Sequence, residues 1–256
     1  MDIYEKVRGR HSVIGTHVNL KDTIVTEILG SLGYDFLWVD MEHMPLSERE
    51  VYHHVLAARS VGAKVFVRVP VDDLTATKHV LEMGVDGIIF PMVRDAKHAR
   101  ELLDNTLYPP YGKRGCGPRG AVRYGLDDEF EFYSKGHIDK TLRFVQIEME
   151  SAARDAESIA AIDYLDGCIL GMHDLSGSIN KLGRVFSEEN VALARMAIDA
   201  FTKQGKTVGV ATFAIDEETL RRYHDMGINM ISTGADYDYV LRLGKSTIDL
   251  AKKVFD

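Results

Sequence analysis

Eight times along the chain a short apolar run rich in β-branched residues gives way to a longer segment, most of them of helical period, and this alternation restricts the fold to repeated βα units around a parallel sheet. The runs lie at 13–16, 36–39, 64–69, 87–90, 143–148, 167–170, 207–210 and 230–233. Most have no polar face, as strands buried on both sides require. Between them, 21–32, 47–62, 73–84, 95–104, 188–204 and 216–227 carry apolar residues at helical spacing. Ser47 and Glu50 have the spacing of a capping box, and Gly33, Gly62, Gly84, Gly205 and Gly227 stand where helices end. Eight units suggest closure, and the 256 residues match the roughly 250 of one (β/α)8 TIM barrel. The chain, 1–256, is expected to be a single domain.

One interval is too long for a connection. Between Phe90 and Arg143 lie one helix and about 35 further residues rich in Tyr, Gly, Pro and Arg. The sequence places this insertion, about 106–140, after the fourth strand. Loops that follow strands build the catalytic face of such a barrel, so 108–125 is expected to be a pocket lid, the other reading being a surface decoration.

A net charge of -8 disfavours nucleic acid as a partner, although a few local arginines can still hold an anionic substrate. There is no apolar leader after a basic start and no apolar run long enough to span a bilayer, so the cytoplasm is the expected location and a membrane is not an expected partner. Cys116 and Cys168 have no metal-site or redox spacing.

Polar residues interrupt the pattern where strands end: Asp40, Glu42 and His43 after the second, Arg68 after the third, Glu148 after the fifth, Asp174 after the sixth. On this fold that end of the barrel is the catalytic one. Glu148 and Asp174, from neighbouring strands, read as oxygen ligands of Mg²⁺, Mn²⁺ or Co²⁺, with a buried salt bridge or a helix cap as the alternative. Arg68 would hold a keto-acid oxygen or carboxylate, or else an ion pair with Glu42 or Glu148. His43 has the address of a general base, and His17 shares that address at the end of the first strand. No lysine stands at a strand end to form a Schiff base; Lys64 and Lys206 begin their strands. GCGPRG at 115–120 fits a dinucleotide pattern in letters only, since it follows no strand. Asp236 and Asp238 oppose a phosphate after the eighth strand.

Together GYDFLWVDMEHMP (33–45), RVP (68–70), GVDGIIFPMV (84–93), YPPYGKRGCGP (108–118), VQIE (145–148) and LGMHDLS (170–176) resemble the metal-dependent pyruvate aldolases of the HpcH/HpaI family, in order and approximate spacing over nearly the whole chain. The resemblance implies a barrel of the phosphoenolpyruvate/pyruvate type that reversibly cleaves a 4-hydroxy-2-oxo acid to pyruvate and an aldehyde. It implies a divalent metal on Glu148 and Asp174, and Arg68 on the keto oxygen of pyruvate, stabilising its enolate. His43 becomes the acid–base group, and Glu82 stands where the family has an aspartate paired with that histidine. Asp40 matches a further aspartate beside the histidine, and Gln146 lines the metal site. Gly171-Met172-His173-Asp174 replaces the family's Gly-Pro-Ala-Asp, which puts His173 against the substrate or the ion. Arg119 and Arg123 of the lid would select the aldehyde. Homo-oligomers, commonly hexamers, are implied as well. A lyase acting on acyl-coenzyme A thioesters and a non-catalytic metal-binding barrel are the rival readings.

Overall fold

The eight runs of the sequence become eight parallel strands: β1 (Val13–Val18), β2 (Phe36–Asp40), β3 (Val65–Arg68), β4 (Gly87–Phe90), β5 (Leu142–Ile147), β6 (Gly167–Leu170), β7 (Thr207–Thr212) and β8 (Met230–Ala235). Each pairs with the next and β8 pairs with β1, closing the barrel. The computed structural model describes residues 1–255. Inward side chains of alternate strand positions, Phe36, Trp38, Phe66, Phe144, Ile169 and Met230 among them, fill the interior as one buried cluster.

The helices are α1 (Ile3–Arg8), α2 (Ile24–Gly30), α3 (Glu48–Ser60), α4 (Leu74–Glu82), α5 (Ala96–Asp104), the short α6 (Glu129–Glu131) and α7 (His137–Asp139), α8 (Glu150–Arg154), α9 (Ala156–Ala160), α10 (Met172–Ser178), α11 (Glu188–Lys203), α12 (Glu217–Asp225) and α13 (Asp236–Phe255). Ser47 and Glu50 do form the capping box that opens α3. The six helical segments read from periodicity correspond to α2 to α5, α11 and α12; α1, the pieces α6 to α10, and α13 are additional.

The insertion does not form the expected lid after the fourth strand. It follows α5, not β4: β4 leads directly to α5, and 105–141 connect the end of α5 to the start of β5. In a parallel barrel each helix returns the chain to the end where strands begin, so this segment lies on the face opposite the mouth. Its contacts agree. Arg143, at the start of β5 and fully buried, donates to Thr106 Oγ1 and to the carbonyls of Thr141 and His137, each at 2.7 Å. Tyr108, Val122 and Phe132 make a small core of their own. A Cβ on Gly84, just after α4, would sit 2.8 Å from the Ala121 Cα, which is how tightly the segment seats against that helix end. The insertion is a floor element and does not cover the site.

α1 closes the same floor through a repeated device. Asp35, Asp86 and Asp166 each stand one residue before a strand, β2, β4 and β6. One oxygen of each accepts a backbone N–H from the preceding strand: Ile14 at 2.9 Å, Val65 at 3.0 Å and Arg143 at 2.8 Å. The other oxygen holds α1, taking Lys6 Nζ, the Tyr4 hydroxyl at 2.8 Å and Arg8 Nε at 3.0 Å. Ile3 and Val7 then insert under the interior cluster.

Candidate active site

At the other end, where strands finish, β2 stops on Asp40 and β3 on Arg68, which are register partners. Alternation points both inward, above Trp38 and Phe66. Arg68 donates from Nε to Asp40 Oδ1 at 3.0 Å and from Nη2 to Asp40 Oδ2 at 2.6 Å. Burial alone would raise the Asp40 carboxyl, but these two bonds hold it below its ordinary value. Burial likewise would lower the guanidinium, and Asp40 and Glu42 raise it instead. The ring of Trp38 lies 5.3 Å from Arg68 Cζ, so the guanidinium is also held from the barrel side. Asp40 Oδ1 further accepts the N–H groups of Glu42 at 2.9 Å and His43 at 3.4 Å, which folds the loop after β2 back over the carboxylate.

Arg68 Nη1 reaches two further groups. It donates to Gln146 Oε1 at 3.2 Å, and it makes an ion pair with Glu42 Oε2 at 3.0 Å. Glu42 Oε2 is also 3.7 Å from His43 Nε2, and it has no aligned hydrogen bond despite being buried. Gln146 turns its amide nitrogen to Glu148 Oε2 at 2.9 Å. The chain Arg68–Gln146–Glu148 thus fixes the orientation of all three side chains. Glu148 Oε1 takes the N–H of Met92, whose positive φ of 52° turns that N–H inward. Gly171 completes the cradle: a Cβ there would come within 2.5 Å of Glu148 Oε2.

Burial is the main cause pushing the Glu148 carboxyl up to about 7, and the nearby Glu42 and Asp174 push it further while the Met92 N–H and Arg68 oppose. Glu42 is raised by burial as well. Asp174 stands exposed on the first turn of α10, with His173 beside it. The mouth therefore concentrates Asp40, Glu42, Glu148 and Asp174 around one guanidinium that Asp40 already neutralises. Such a surplus of carboxylate is what a hard dication relieves. Among the described residues no three His, Cys, Asp or Glu side chains close a shell by themselves. Glu148 with Asp174 would hold an ion with open positions, as Mg²⁺ and Mn²⁺ accept. The donor set fits.

Three residues expected at this mouth are elsewhere. α4 runs from rim to floor, so Glu82, its last residue, lies at the strand-start end, where it accepts from Arg114 Nη2 at 3.0 Å and from the Arg119 N–H at 3.2 Å. His43 is at the opposite end of the barrel, and the His43–Glu82 pair is not made within the chain. Arg119 and Arg123 sit with the insertion on the floor; Arg123 Nε is 3.1 Å from Asp127. Glu42, not Glu82, is the carboxylate that His43 meets. The N–H of Met92 and the bare Cα of Gly171 are contributors that side-chain chemistry could not reveal; a glycine directly after the GCIL run was the only trace of the second.

Residues 14–242 match the family described as HpcH/HpaI aldolase/citrate lyase. The chain is 33% identical over 223 residues to a hydroxypyruvate/pyruvate aldolase of Agrobacterium fabrum, covering 87% of this chain and 83% of that one. It is 32% identical over 205 residues to a 2-dehydro-3,6-dideoxy-6-sulfogluconate aldolase of Pseudomonas putida, covering 80% and 79%. The solved structure of an HpcH/HpaI aldolase/citrate lyase family protein from Burkholderia cenocepacia superposes with a TM-score of 0.90 at 25% identity over 98% of each chain.

Proposed function

Since the chain belongs to the HpcH/HpaI aldolase/citrate lyase family, a family of carbon–carbon lyases, we propose that it is a divalent-metal-dependent aldolase that reversibly cleaves a 4-hydroxy-2-oxo acid into a pyruvate-type 2-oxo acid and an aldehyde. The observation that carries this reading is the oriented chain Arg68–Gln146–Glu148 beside Asp174 at the barrel mouth. An ion on Glu148 and Asp174 would bind the carboxylate and keto oxygen of the 2-oxo acid and act as a Lewis acid. Arg68, pinned by Asp40, offers Nη1 to the keto oxygen and stabilises the enolate charge that develops when the carbon–carbon bond breaks. Asp40 is a positioning residue. His43, largely exposed and facing Glu42, takes the proton of the 4-hydroxyl in cleavage and returns it in condensation. Gln146 orients Glu148, and His173 borders the space where the aldehyde portion lies.

Pyruvate in deuterated water tests this directly. Metal-dependent exchange of the methyl protons is the expected result; no exchange with any divalent ion would overturn the aldolase reading.

A homo-oligomer belongs to the same proposal. α13 is 20 residues long, yet only Asp236 is buried, while Val240, Leu241, Leu243, Ile248, Leu250 and Val254 are exposed. In the same chain the outer surface of β1 and β8 is an open apolar groove lined by Val13, Ile14, Tyr223 and Ile231. A helix lacking a groove and a groove lacking a helix fit a second copy of this chain. Light scattering is expected to show an assembly; a monomer at micromolar concentration would exclude it.

A further inference from the structure

The mouth is lopsided. Its charged groups stand on β2 to β6, whereas the inward positions facing them across the barrel are Ala211 on β7, Ser232 on β8 and His17 on β1, with Phe213 just beyond. His17 is only 3% exposed. Its Nδ1 lies 3.2 Å from the carbonyl oxygen of Gly234 and 3.1 Å from Ser232 Oγ. A carbonyl oxygen can only accept, so Nδ1 carries the proton and Nε2 carries the lone pair. Among the described residues nothing hydrogen-bonds Nε2. The ring cannot swing away to find a partner, because Trp38 is 4.9 Å and Phe213 5.3 Å from its centroid. Burial, and Arg68 beyond Trp38, lower the imidazole to about 4, so at neutral pH it is an acceptor and not a base. Nε2 is not among the buried unpartnered atoms, so its lone pair stays open to the mouth, and an apolar group seated against it would strip that solvent and leave it unpaired.

We propose that His17 determines specificity by accepting, at Nε2, a hydrogen bond from a hydroxyl on the carbon next to the keto group of the 2-oxo acid. This rests on the aldolase reading. Glu148 directly follows β5 and His17 is the next-to-last residue of β1, four strands away around the eight, so they face each other across the mouth. A 2-oxo acid anchored by its carboxylate and keto oxygen at the charged arc presents its third carbon to the neutral arc. A hydroxyl there satisfies Nε2; a plain methyl leaves it unpaired. Sites built to bond a hydroxyl discriminate against the analogue lacking it for this reason.

The test compares hydroxypyruvate with pyruvate as the donor, with the same aldehyde, in wild type, His17→Phe and His17→Gln. Phe keeps the contacts with Trp38 and Phe213 and removes the acceptor; Gln keeps an acceptor. The ratio of kcat/KM for hydroxypyruvate over pyruvate is expected to fall about 10-fold or more in His17→Phe and to recover most of that loss in His17→Gln. A ratio unchanged in His17→Phe would overturn the proposal, as would discrimination that moves instead to glycolaldehyde over acetaldehyde. Nitrogen-15 NMR of the His17 ring supplies a readout free of turnover: hydroxypyruvate should shift Nε2 and pyruvate should not. If no aldol reaction occurs with any donor, the aldolase reading fails, and the ring resonance still decides whether Nε2 accepts a hydroxyl.

Discussion

Arg68 and Asp40 meet edge to edge, Nε on one carboxylate oxygen and Nη2 on the other, at 3.0 and 2.6 Å. The pairing consumes one side of the guanidinium fork, and Nη1 on the other side reaches Gln146 and Glu42 at the mouth. A single point charge could not hold both functions, which is why the planar fork matters at this position.

Replacing Arg68 with Ala is expected to slow the reaction by about 100-fold or more, the usual cost of losing a donor to developing oxyanion charge. Arg68→Lys should recover little of it. Removing the guanidinium also strands Asp40, so the melting temperature should fall as well; Asp40→Asn combined with Arg68→Ala should restore stability and not rate. Near wild-type methyl exchange in Arg68→Ala would reduce Arg68 to a structural ion pair.

Chelation should abolish activity, and Mg²⁺, Mn²⁺ or Co²⁺ should restore it. Gly171→Ala probes the same carboxylate from behind, because its Cβ would press on Glu148 Oε2. Calorimetric titration of Mn²⁺ into Gly171→Ala is expected to show affinity weakened by about 10-fold or more, in line with disturbed outer-shell support. Unchanged affinity would detach Glu148 from the ion. Borohydride with pyruvate should leave the protein unlabelled, since among the described residues no lysine pairs with Asp40, Glu42, Glu148 or Asp174, and Lys21 on the rim is held by Glu50.

His43→Ala should slow aldol cleavage by roughly 100-fold or more. Metal binding should survive. Decarboxylation of oxaloacetate reaches the same enolate without removing a hydroxyl proton, so it should suffer less. Equal losses in both reactions would show that His43 positions substrate instead of moving the proton.

Acid should destabilise the fold through two buried histidines. Burial lowers His17 and His137 to about 4 from an ordinary 6.5. Between those values the unfolded chain binds protons that the folded chain refuses, so stability falls as pH drops from 6.5 towards 4. Within that window each histidine contributes a slope of at most about 1.4 kcal/mol per pH unit. Urea midpoints measured from pH 7 to 4 should show it, and His137→Phe should flatten the slope.

The barrel was legible because strands buried on both faces cannot hide: eight apolar runs gave eight strands. Mouth residues were legible for a related reason, since Asp40, Arg68 and Glu148 break those runs at a fixed end. The place of the insertion was not legible in the letters, because α5 stands between Phe90 and the added residues. One helix after a strand carries the backbone to the floor, and 105–141 follow that helix. The same step applied to α4 would have separated Glu82 from His43. Short helices such as α8, α9 and α10 escaped because five to seven residues do not complete a readable period. Asp35, Asp86 and Asp166 were visible as a recurring aspartate before a strand, but nothing in the letters says that α1 comes back to collect them.

That clasp makes the barrel a vessel with one opening. With Ile3 and Val7 stoppering the packed interior, every molecule reaching Glu148 enters over the rim and leaves over it. Two fragments produced there cannot depart by separate exits, and the one seated deeper waits for the one above. Product inhibition should record this queue: the 2-oxo acid, last to leave, competes with the incoming substrate for the empty enzyme, and the aldehyde, first to leave, does not.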